Sequence, residues 1–343
     1  MAHRPRPVRP RCTADLLAAG VSRGQLRGPR WRQTSRGWWV PVGVDLDHAD
    51  QRILNQAVRL PPGGAIGGWA AARLLGVDQL DGLAADGRTR LPVLLCIGPD
   101  HRIRRDPDSE LSRDRLPECD VARVDGVPCT TALRTVFDGM RLADGVAEAV
   151  VLADQMLHAR TISMEQLRSY VAGRAGWRGV IQARAALDLV DGDSRNSWET
   201  RMRMVWMLEA GLPRPRCNPP VFDLRGNLLG YPDLLDSEAG TVVEYDGDGH
   251  RRANRHDRDN LREERFEEHG LVVTRVTSID FRHREDLARR MRRTRERGLG
   301  RDRNRDRWTL VVPPSWGGVT TDADAALGAL LEEMDAHWRP FAT

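Results

Sequence analysis

The sequence predicts an α/β protein in which a basic N-terminal unit and a mostly helical region precede a domain of order αβββαβα with a central mixed sheet. Three patterns predict this class: two short capped helices followed by an Arg- and Trp-rich extended segment, a run of amphipathic helices, and, from residue 194, helices alternating with short apolar strands. The 343 residues, 40% of them hydrophobic and 30% charged, suffice for two or three domains with cores of their own.

Residues 1–48 are predicted to form a basic arm and a winged helix-turn-helix. After the Arg/Pro-rich start, Thr13 and Ser22 each suit a helix N-cap, and Gly20 separates the two short helices. In the following segment, PRWRQTSRGWWVPVGV, Arg residues alternate with Trp residues, and the segment ends in an extended stretch. This pattern is typical of a two-stranded wing. The alternative is an ordinary small helical hairpin packed on a strand.

Residues 49–193 are predicted to be a mostly helical connector that also contains the strand-like LPVLLCIG and CDVARVDGVPC. Its later helices are expected at 130–142, 145–158, 163–173 and 177–190. Residues 194–298 follow as the αβββαβα domain, which begins with a helix capped by Asn196 and ended at Gly211. Residues 299–343 form an Arg-rich linker and C-terminal extension.

The composition excludes several kinds of chemistry. All 53 basic residues are Arg, so a Schiff-base lysine, a P-loop lysine and a Ser–Lys dyad are impossible. The five Cys are odd in number and widely spaced, with no C-x-x-C pair, which argues against a disulfide framework and a structural zinc site. A cytoplasmic protein is expected, and no membrane partner, because no apolar stretch approaches the length of a bilayer span.

Carboxylates cluster in YPDLLDSEAGTVVEYDGDGH, residues 231–250. Glu244 and Asp246 are two residues apart in one predicted strand, so their side chains share a face, and Asp233 lies on the neighbouring strand. Clustered carboxylates repel one another unless a cation lies among them, and an all-oxygen ligand set selects Mg²⁺ or Mn²⁺. Such an ion can activate water for attack on a phosphodiester, and His250 follows within reach.

Several charged residues of the C-terminal part also have a purely structural interpretation. Glu199 fits a capping box with Asn196, and Asp246-Gly247 is a common turn signal. The Arg run at 282–307 is interpreted first as a solvated helix face. Asp233 and Glu244 are harder to explain structurally, because they stand in an apolar strand context.

The C-terminal part, about 194–298, resembles the PD-(D/E)XK nuclease superfamily, in the uncharacterised-domain branch related to very short patch repair endonucleases. The resemblance rests on SWET, YPDLL, VVEYDG and His250, and on the spaced run Asp259, Arg262, Phe266, Gly270. It implies a restriction-endonuclease-like fold, with Asp233 and Glu244 as metal ligands and Asp246 where the wider superfamily keeps its Lys. The implied catalytic set is Asp233, Glu244, Asp246, His250 and Glu199.

The N-terminal part resembles the winged-helix domain of abortive-infection type IV antitoxins, through TADLLAAGVSRGQL and SRGWWVPV. The resemblance implies binding of duplex DNA by the second helix and the wing. Three further Arg, at spacings of four and three on the helix after His250, are placed to hold the phosphate backbone. The predicted DNA-binding residues are Ser22, Arg23, Gln25, Arg27, Arg32, Arg36, Arg258, Arg262 and Arg265.

Two functions are therefore expected. The first is a DNA endonuclease that depends on Mg²⁺ or Mn²⁺, for which cleavage of both strands needs two sites and hence a homodimer. The alternative is a non-catalytic DNA-binding regulator of the antitoxin kind, with a toxin as its partner and the nuclease-like domain as a scaffold. An RNA-acting factor is not favoured, because no aromatic stacking signature is found.

Overall fold

The computed structural model describes residues 7–84, 86–246, 263–314 and 316. Within these ranges the strands form four sheets, one in the N-terminal part, one in the middle and two in the C-terminal part, with helices packed against them. The predicted α/β class is therefore confirmed. None of the helices in these ranges has both the length and the apolar character that a bilayer crossing requires.

The N-terminal part is a small antiparallel sheet with two short helices. Its strands β1 (Arg11–Cys12), β2 (Trp31–Ser35) and β3 (Trp38–Pro41) lie in the order β1–β3–β2. Helices α1 (Thr13–Ala18) and α2 (Arg23–Leu26) connect β1 to β2. Leu16, Leu26 and Val40 are buried, one from each helix and one from β3. The two helices are therefore packed on the hairpin through one buried apolar side chain each.

Of the two helix caps predicted in the N-terminal part, Thr13 and Ser22, the structure contains the second. Ser22 caps α2, since its Oγ accepts a hydrogen bond from the Gln25 backbone at 3.2 Å, while Gln25 Oε1 accepts one from the Ser22 backbone at 2.7 Å. Thr13 is instead the first residue of α1, whose N-cap is Cys12. The Thr13 hydroxyl accepts a hydrogen bond from the Trp39 indole at 2.9 Å and so ties α1 to β3.

The middle part contains a five-stranded mixed sheet as well as helices. Its strands lie in the order β6–β5–β4–β8–β7, with the β5/β6 and β4/β8 pairs parallel and the others antiparallel. The sequence predicted two strand-like segments here, and β4 and β6 were missed because they are very short and lie beside Gly-rich and charged, Pro-broken segments. The elements are α3 (Ala49–Ala57), β4 (Ala65–Gly67), α4 (Gly68–Leu74), β5 (Val93–Cys96), β6 (Ser109–Ser112), β7 (Val121–Val124) and β8 (Val127–Thr130).

Four further helices complete the middle part and agree with the predicted positions. They are α5 (Ala132–Leu142), α6 (Val146–His158), α7 (Met164–Ala172) and α8 (Val180–Leu187). Their apolar faces meet in one buried cluster that includes Phe137, Met140 and Met156. α7 buries one stripe, as expected for an amphipathic helix, whereas α6 is buried on all sides from Ala149 to Met156 and so forms the centre of the bundle.

The C-terminal part is built on a mixed sheet of order β14–β13–β12–β9. β13 and β14 are parallel, and the other pairs are antiparallel. One face is covered by Met202 of α9 (Ser197–Met204), by Trp206 of the π turn that follows it, and by Leu287 and Met291 of α11 (Arg284–Leu299). Phe266 of the helical residues 263–268 packs on the other face. The elements are α9 (Ser197–Met204), a π turn (Val205–Glu209), β9 (Arg216–Cys217), β12 (Leu234–Asp236), β13 (Thr241–Asp246), residues 263–268 as α10, β14 (Val272–Thr277) and α11 (Arg284–Leu299).

A second C-terminal sheet departs from the single sheet that the sequence predicted. It consists of β10 (Val221–Asp223), β11 (Leu228–Gly230) and β15 (Trp308–Thr309), in the order β11–β10–β15. The run LLGYPDLLD contains two strands: the chain leaves β11 after Gly230 and enters β12 at Leu234, because Gly-Tyr-Pro interrupts the run. β15 comes from the segment predicted to be a linker.

Helix α9 packs on two hydrophobic clusters at once. Met204 belongs to the hydrophobic cluster of the α5–α8 bundle, whereas Met202, together with Trp206 of the following π turn, belongs to the cluster on the main C-terminal sheet. Arg203 of α9 also forms a fully buried ion pair with Asp154 of α6. The predicted boundary at residue 194 therefore falls just before a helix that both parts share.

Candidate active site

The strand register places Asp233 opposite Glu244. Leu234 pairs with Val243, and Leu235 pairs with Val242, so the same antiparallel register sets the residue before β12 against Glu244 of β13. Leu235 and Val242 pack on the α10 face of the sheet. Because side chains alternate along a strand, Asp233 and Glu244 project from that same face. Glu244 is 7% exposed, so its carboxylate is almost completely removed from solvent.

Asp233 is held in place by backbone groups of both neighbouring strands. Its Oδ2 accepts a hydrogen bond from the Tyr245 backbone N–H at 2.7 Å, and its own carbonyl accepts one from the Asn218 N–H at 3.2 Å. Asn218 follows β9 with a φ of 47°, a left-handed conformation that Asn tolerates better than most residues. The Asp233 carboxylate thus lies where the pairing of β12 with β9 and with β13 ends.

Glu199 approaches from the start of α9. Asn196 caps this helix by accepting hydrogen bonds from the backbone of Trp198 and Glu199 at 2.9 and 3.0 Å. The Glu199 carboxylate accepts in turn from the Arg195 backbone at 2.7 Å and from the side chains of Asn196 and Asn218. Glu199 therefore bonds the Arg195 backbone rather than that of Asn196, which departs from the predicted capping box, and it lies close enough to Asp233 for the two charges to interact.

Burial and the nearby negative charge of Asp233 raise the pKa of Glu199 to about 7. The hydrogen bonds from Asn218 and the Arg195 backbone act in the opposite direction, but they do not cancel the loss of hydration. Glu199 is 3% exposed. A carboxyl group in this state exchanges a proton near neutral pH, which is the property that proton transfer at neutral pH requires.

A stacked aromatic pair fixes α9 against β13. The Trp198 and Tyr245 rings are stacked with their centroids 5.2 Å apart and their planes nearly parallel, at an angle of 8°, and the Phe281 ring centroid lies 5.2 Å from that of Trp198. This contact holds the N-terminal end of α9 against β13.

Asp246 is the last residue of β13 and not a turn residue. It pairs in register with Thr277 of β14, and its carboxylate lies 3.9 Å from the Arg275 guanidinium, which also forms an ion pair with Glu263. Arg275 is the register partner of Glu244. An arginine of β14 therefore lies beside the acids of β13.

The donor chemistry of this site suits a hard divalent cation, because its side chains present carboxylate and amide oxygens without sulfur. Asp233 and Glu244 are the residues that would hold such an ion. Among the residues that the structure describes, no group of three or more His, Cys, Asp and Glu side chains has the arrangement of a metal site. His250, Arg258 and Arg262 lie outside the described residues, and Arg265 is exposed on α10.

The predicted DNA-binding residues of the N-terminal part are all exposed. Ser22 and Gln25 use their side-chain oxygens in the cap of α2, and the amide nitrogen of Gln25 is left for other contacts. No Asp or Glu occurs between residues 16 and 44. None of the exposed arginines of this stretch forms an ion pair with another residue in the described part of the chain. They are Arg23, Arg27, Arg30, Arg32 and Arg36.

Three residues of the site were missed by sequence reasoning. Asn218 bonds Glu199 and Asp233, Arg275 lies beside Asp246, and Arg195 places its guanidinium 5.2 Å from the Tyr231 ring. Asn218 follows a two-residue strand that carries almost no sequence signal. Arg275 interrupts the apolar strand LVVTRV, so its charge was a signal that could have been used.

Comparison with known proteins gives distant relatives. Uncharacterised proteins of two Mycobacterium tuberculosis strains, CDC 1551 and H37Rv, are each 25% identical to this chain over 139 residues. The match covers 39% of this chain and 49% of each relative, so it spans about half the length of the curated relatives. No family model matches the chain, and no solved structure matches it.

Proposed function

We propose that the protein is a metal-dependent DNA endonuclease whose active site is formed by Asp233, Glu244, Glu199 and Asp246. The observation that carries this proposal is the register of β12 and β13, which sets Asp233 against the buried Glu244. Two carboxylates on one sheet face repel each other, and a divalent cation between them removes that cost. A site of this kind is expected where a cation is bound during the working cycle.

In this proposal each residue has a separate task. A bound Mg²⁺ or Mn²⁺ supplies Lewis-acid activation of water and neutralises charge on the phosphodiester. Asp233 and Glu244 would hold the ion, and the hydrogen bond from the Tyr245 backbone fixes the orientation of the Asp233 carboxylate. Glu199 exchanges a proton near neutral pH. Arg275 and the exposed arginines of the N-terminal part contact the negatively charged backbone.

The proposal is tested by metal binding and by plasmid nicking with the full chain. We expect calorimetry to detect Mn²⁺ binding to the wild type and not to the variant carrying Asp233→Asn and Glu244→Gln. The same variant is expected to nick supercoiled plasmid at least about a hundredfold more slowly, because it loses the ion. The matched control carries Glu267→Gln and Glu268→Gln, which remove two exposed acids of the same domain.

The second candidate function is a DNA-binding regulator without catalysis. The exposed arginines in an acid-free stretch favour it, since their attraction for DNA does not depend on the carboxylate site. It becomes the better proposal if the wild type binds neither ion and leaves plasmid uncut while duplex binding survives chelation.

A further inference from the structure

A groove runs along β6, the outer strand of the middle sheet. It encloses about 1150 Å³, and its walls come from the segment between β5 and β6, the residues after β6 and the turn before α8. β6 is paired with β5 on one side and is the last strand in the sheet order among the described residues. The groove therefore follows the open side of a strand.

The backbone of β6 presents peptide groups to this groove. The Val93 N–H bonds the Asp108 carbonyl, and the Ile97 N–H bonds the Ser112 carbonyl, so these two carbonyls are directed toward β5. Because peptide groups alternate in direction along a strand, those of Ser109 and Leu111 point away from β5. The Ser109 N–H already donates to the Asp106 carbonyl at 3.1 Å, so the peptide groups of Leu111 are the ones that face an additional strand. An outer strand of this kind is a template for an additional strand.

The side chains of the groove are strongly cationic. Two of its three acids are already neutralised, since Asp106 lies 3.8 Å from Arg59 and Asp114 pairs with Arg141. Glu110 is the exposed acid that remains. The groove also contains four exposed arginines, none of which forms an ion pair within the part of the chain that the structure describes. They are Arg102, Arg105, Arg113 and Arg178.

The position of Arg178 is fixed by the fold. Its carbonyl accepts a hydrogen bond from the buried Arg141 at 3.3 Å, and the next residue, Gly179, has a φ of 79°. A Cβ on Gly179 would lie 2.2 Å from the Arg141 carbonyl oxygen, so the turn is packed tightly on the end of α5. The groove therefore keeps this charge close to β6.

We propose that the groove binds an acidic segment of a partner protein, which adds to β6 as an extended strand. The arginines recognise the carboxylates of the segment, and its backbone pairs with the open side of β6. Leu94, Ile103 and Leu111 also line the groove and accept apolar side chains that alternate with the acids. A nucleic acid would satisfy the arginines, but its backbone cannot pair with the peptide groups of β6. The proposal is independent of the nuclease site.

The test uses fluorescence anisotropy with the full chain and a fluorescein-labelled peptide of alternating Glu and Val, about eight residues long. We expect saturable binding that weakens as NaCl is raised. Combining Arg102→Ala, Arg113→Ala and Arg178→Ala is expected to weaken binding roughly tenfold or more. The matched control carries Arg88→Ala, Arg168→Ala and Arg184→Ala, which remove exposed arginines of the same middle part outside the groove.

Two further probes separate an added strand from simple charge attraction. A peptide of the same sequence with methylated backbone nitrogens is expected to bind at least about tenfold more weakly, because it cannot complete the strand pairing. Single-stranded and duplex DNA are tested as competitors. The proposal is overturned if the methylated peptide binds equally well, if DNA binds the groove in its place, or if the groove variant changes self-association while acidic peptide never binds.

Discussion

The carboxylate of Asp233 and the backbone N–H of Tyr245 form a 2.7 Å hydrogen bond that joins β12 to β13 beyond their last strand pair. This bond needs an acceptor but no charge. The structural and the metal-binding roles of Asp233 can therefore be separated by substitution.

Asp233→Asn keeps an oxygen acceptor for Tyr245 and removes the charge. We expect its free energy of unfolding, measured by urea denaturation, to stay within about 1 kcal/mol of the wild type while Mn²⁺ binding is lost. Asp233→Ala is expected to lose Mn²⁺ binding and also about 1–2 kcal/mol of stability. Equal stability losses in both variants would show that the charge of Asp233 itself is needed for folding.

Glu199 is expected to make the metal-free protein less stable as pH rises from its ordinary pKa of 4.5 to about 7. In this window the folded state binds more protons than the unfolded state, so the free energy of unfolding falls with pH. The effect is at most about 3 kcal/mol, and it is complete above the folded pKa. Urea denaturation in EDTA at several pH values measures it. Glu199→Gln should remove this slope, and an unchanged slope would assign it to another group.

Asn218 has two roles that different substitutions test separately. Asn218→Gly keeps the left-handed backbone and removes the amide that donates to Glu199 at 2.9 Å. We expect the pKa of Glu199 to rise further, so that the stability slope extends to higher pH. Asn218→Ala adds backbone strain of roughly 1 kcal/mol to the same loss. If the Gly and Ala variants unfold at the same urea concentration, the left-handed backbone conformation of residue 218 does not contribute to stability, which would contradict the prediction.

Removing one partner of the buried ion pair between Asp154 and Arg203 is expected to lower the free energy of unfolding more than replacing both partners by apolar residues. Both side chains are fully buried, and Asp154 also accepts hydrogen bonds from Thr200 and the Asp191 backbone at 2.9 Å. Arg203→Met leaves an uncompensated buried charge and should destabilise the protein by about 3–5 kcal/mol. The double variant with Asp154→Leu should recover part of that loss. A double variant as unstable as the sum of both single variants would contradict this.

The acid-free N-terminal stretch predicts salt-sensitive DNA binding. Arg32→Ala together with Arg36→Ala should weaken duplex binding and lower the slope of log K against log salt by about two, since each contact releases about one counterion. Arg168→Ala with Arg184→Ala, two exposed arginines of the middle part, serves as the control. Identical slopes in both variants would place the DNA contacts elsewhere on the chain.

The sequence predicted the features that have local signals. The caps at Ser22 and Asn196, the four helices of the middle bundle and the position of Asp233 at the strand beside that of Glu244 follow from capping chemistry and hydrophobic patterns. The winged-helix and nuclease resemblances stay predictions.

Features that depend on distant contacts were not predicted. β9 and β15 have two residues each and are strands only because β12 and β10 pair with them. Asn218 is positioned at the site by β9, and because β9 has no pattern that the sequence could show, Asn218 was not predicted either. The high pKa of Glu199 depends on burial by elements far away in the chain, which no spacing rule encodes.

The position of α9 between two clusters affects how the chain can be divided. A fragment beginning at residue 194 would expose Met204 and the Arg203 guanidinium, while the remaining fragment would keep the Asp154 carboxylate without its counter-ion. Each fragment expressed alone is therefore expected to aggregate, whereas the two expressed together can reassemble through α9. Any recombination that exchanges the C-terminal part for another would have to carry α6 with it.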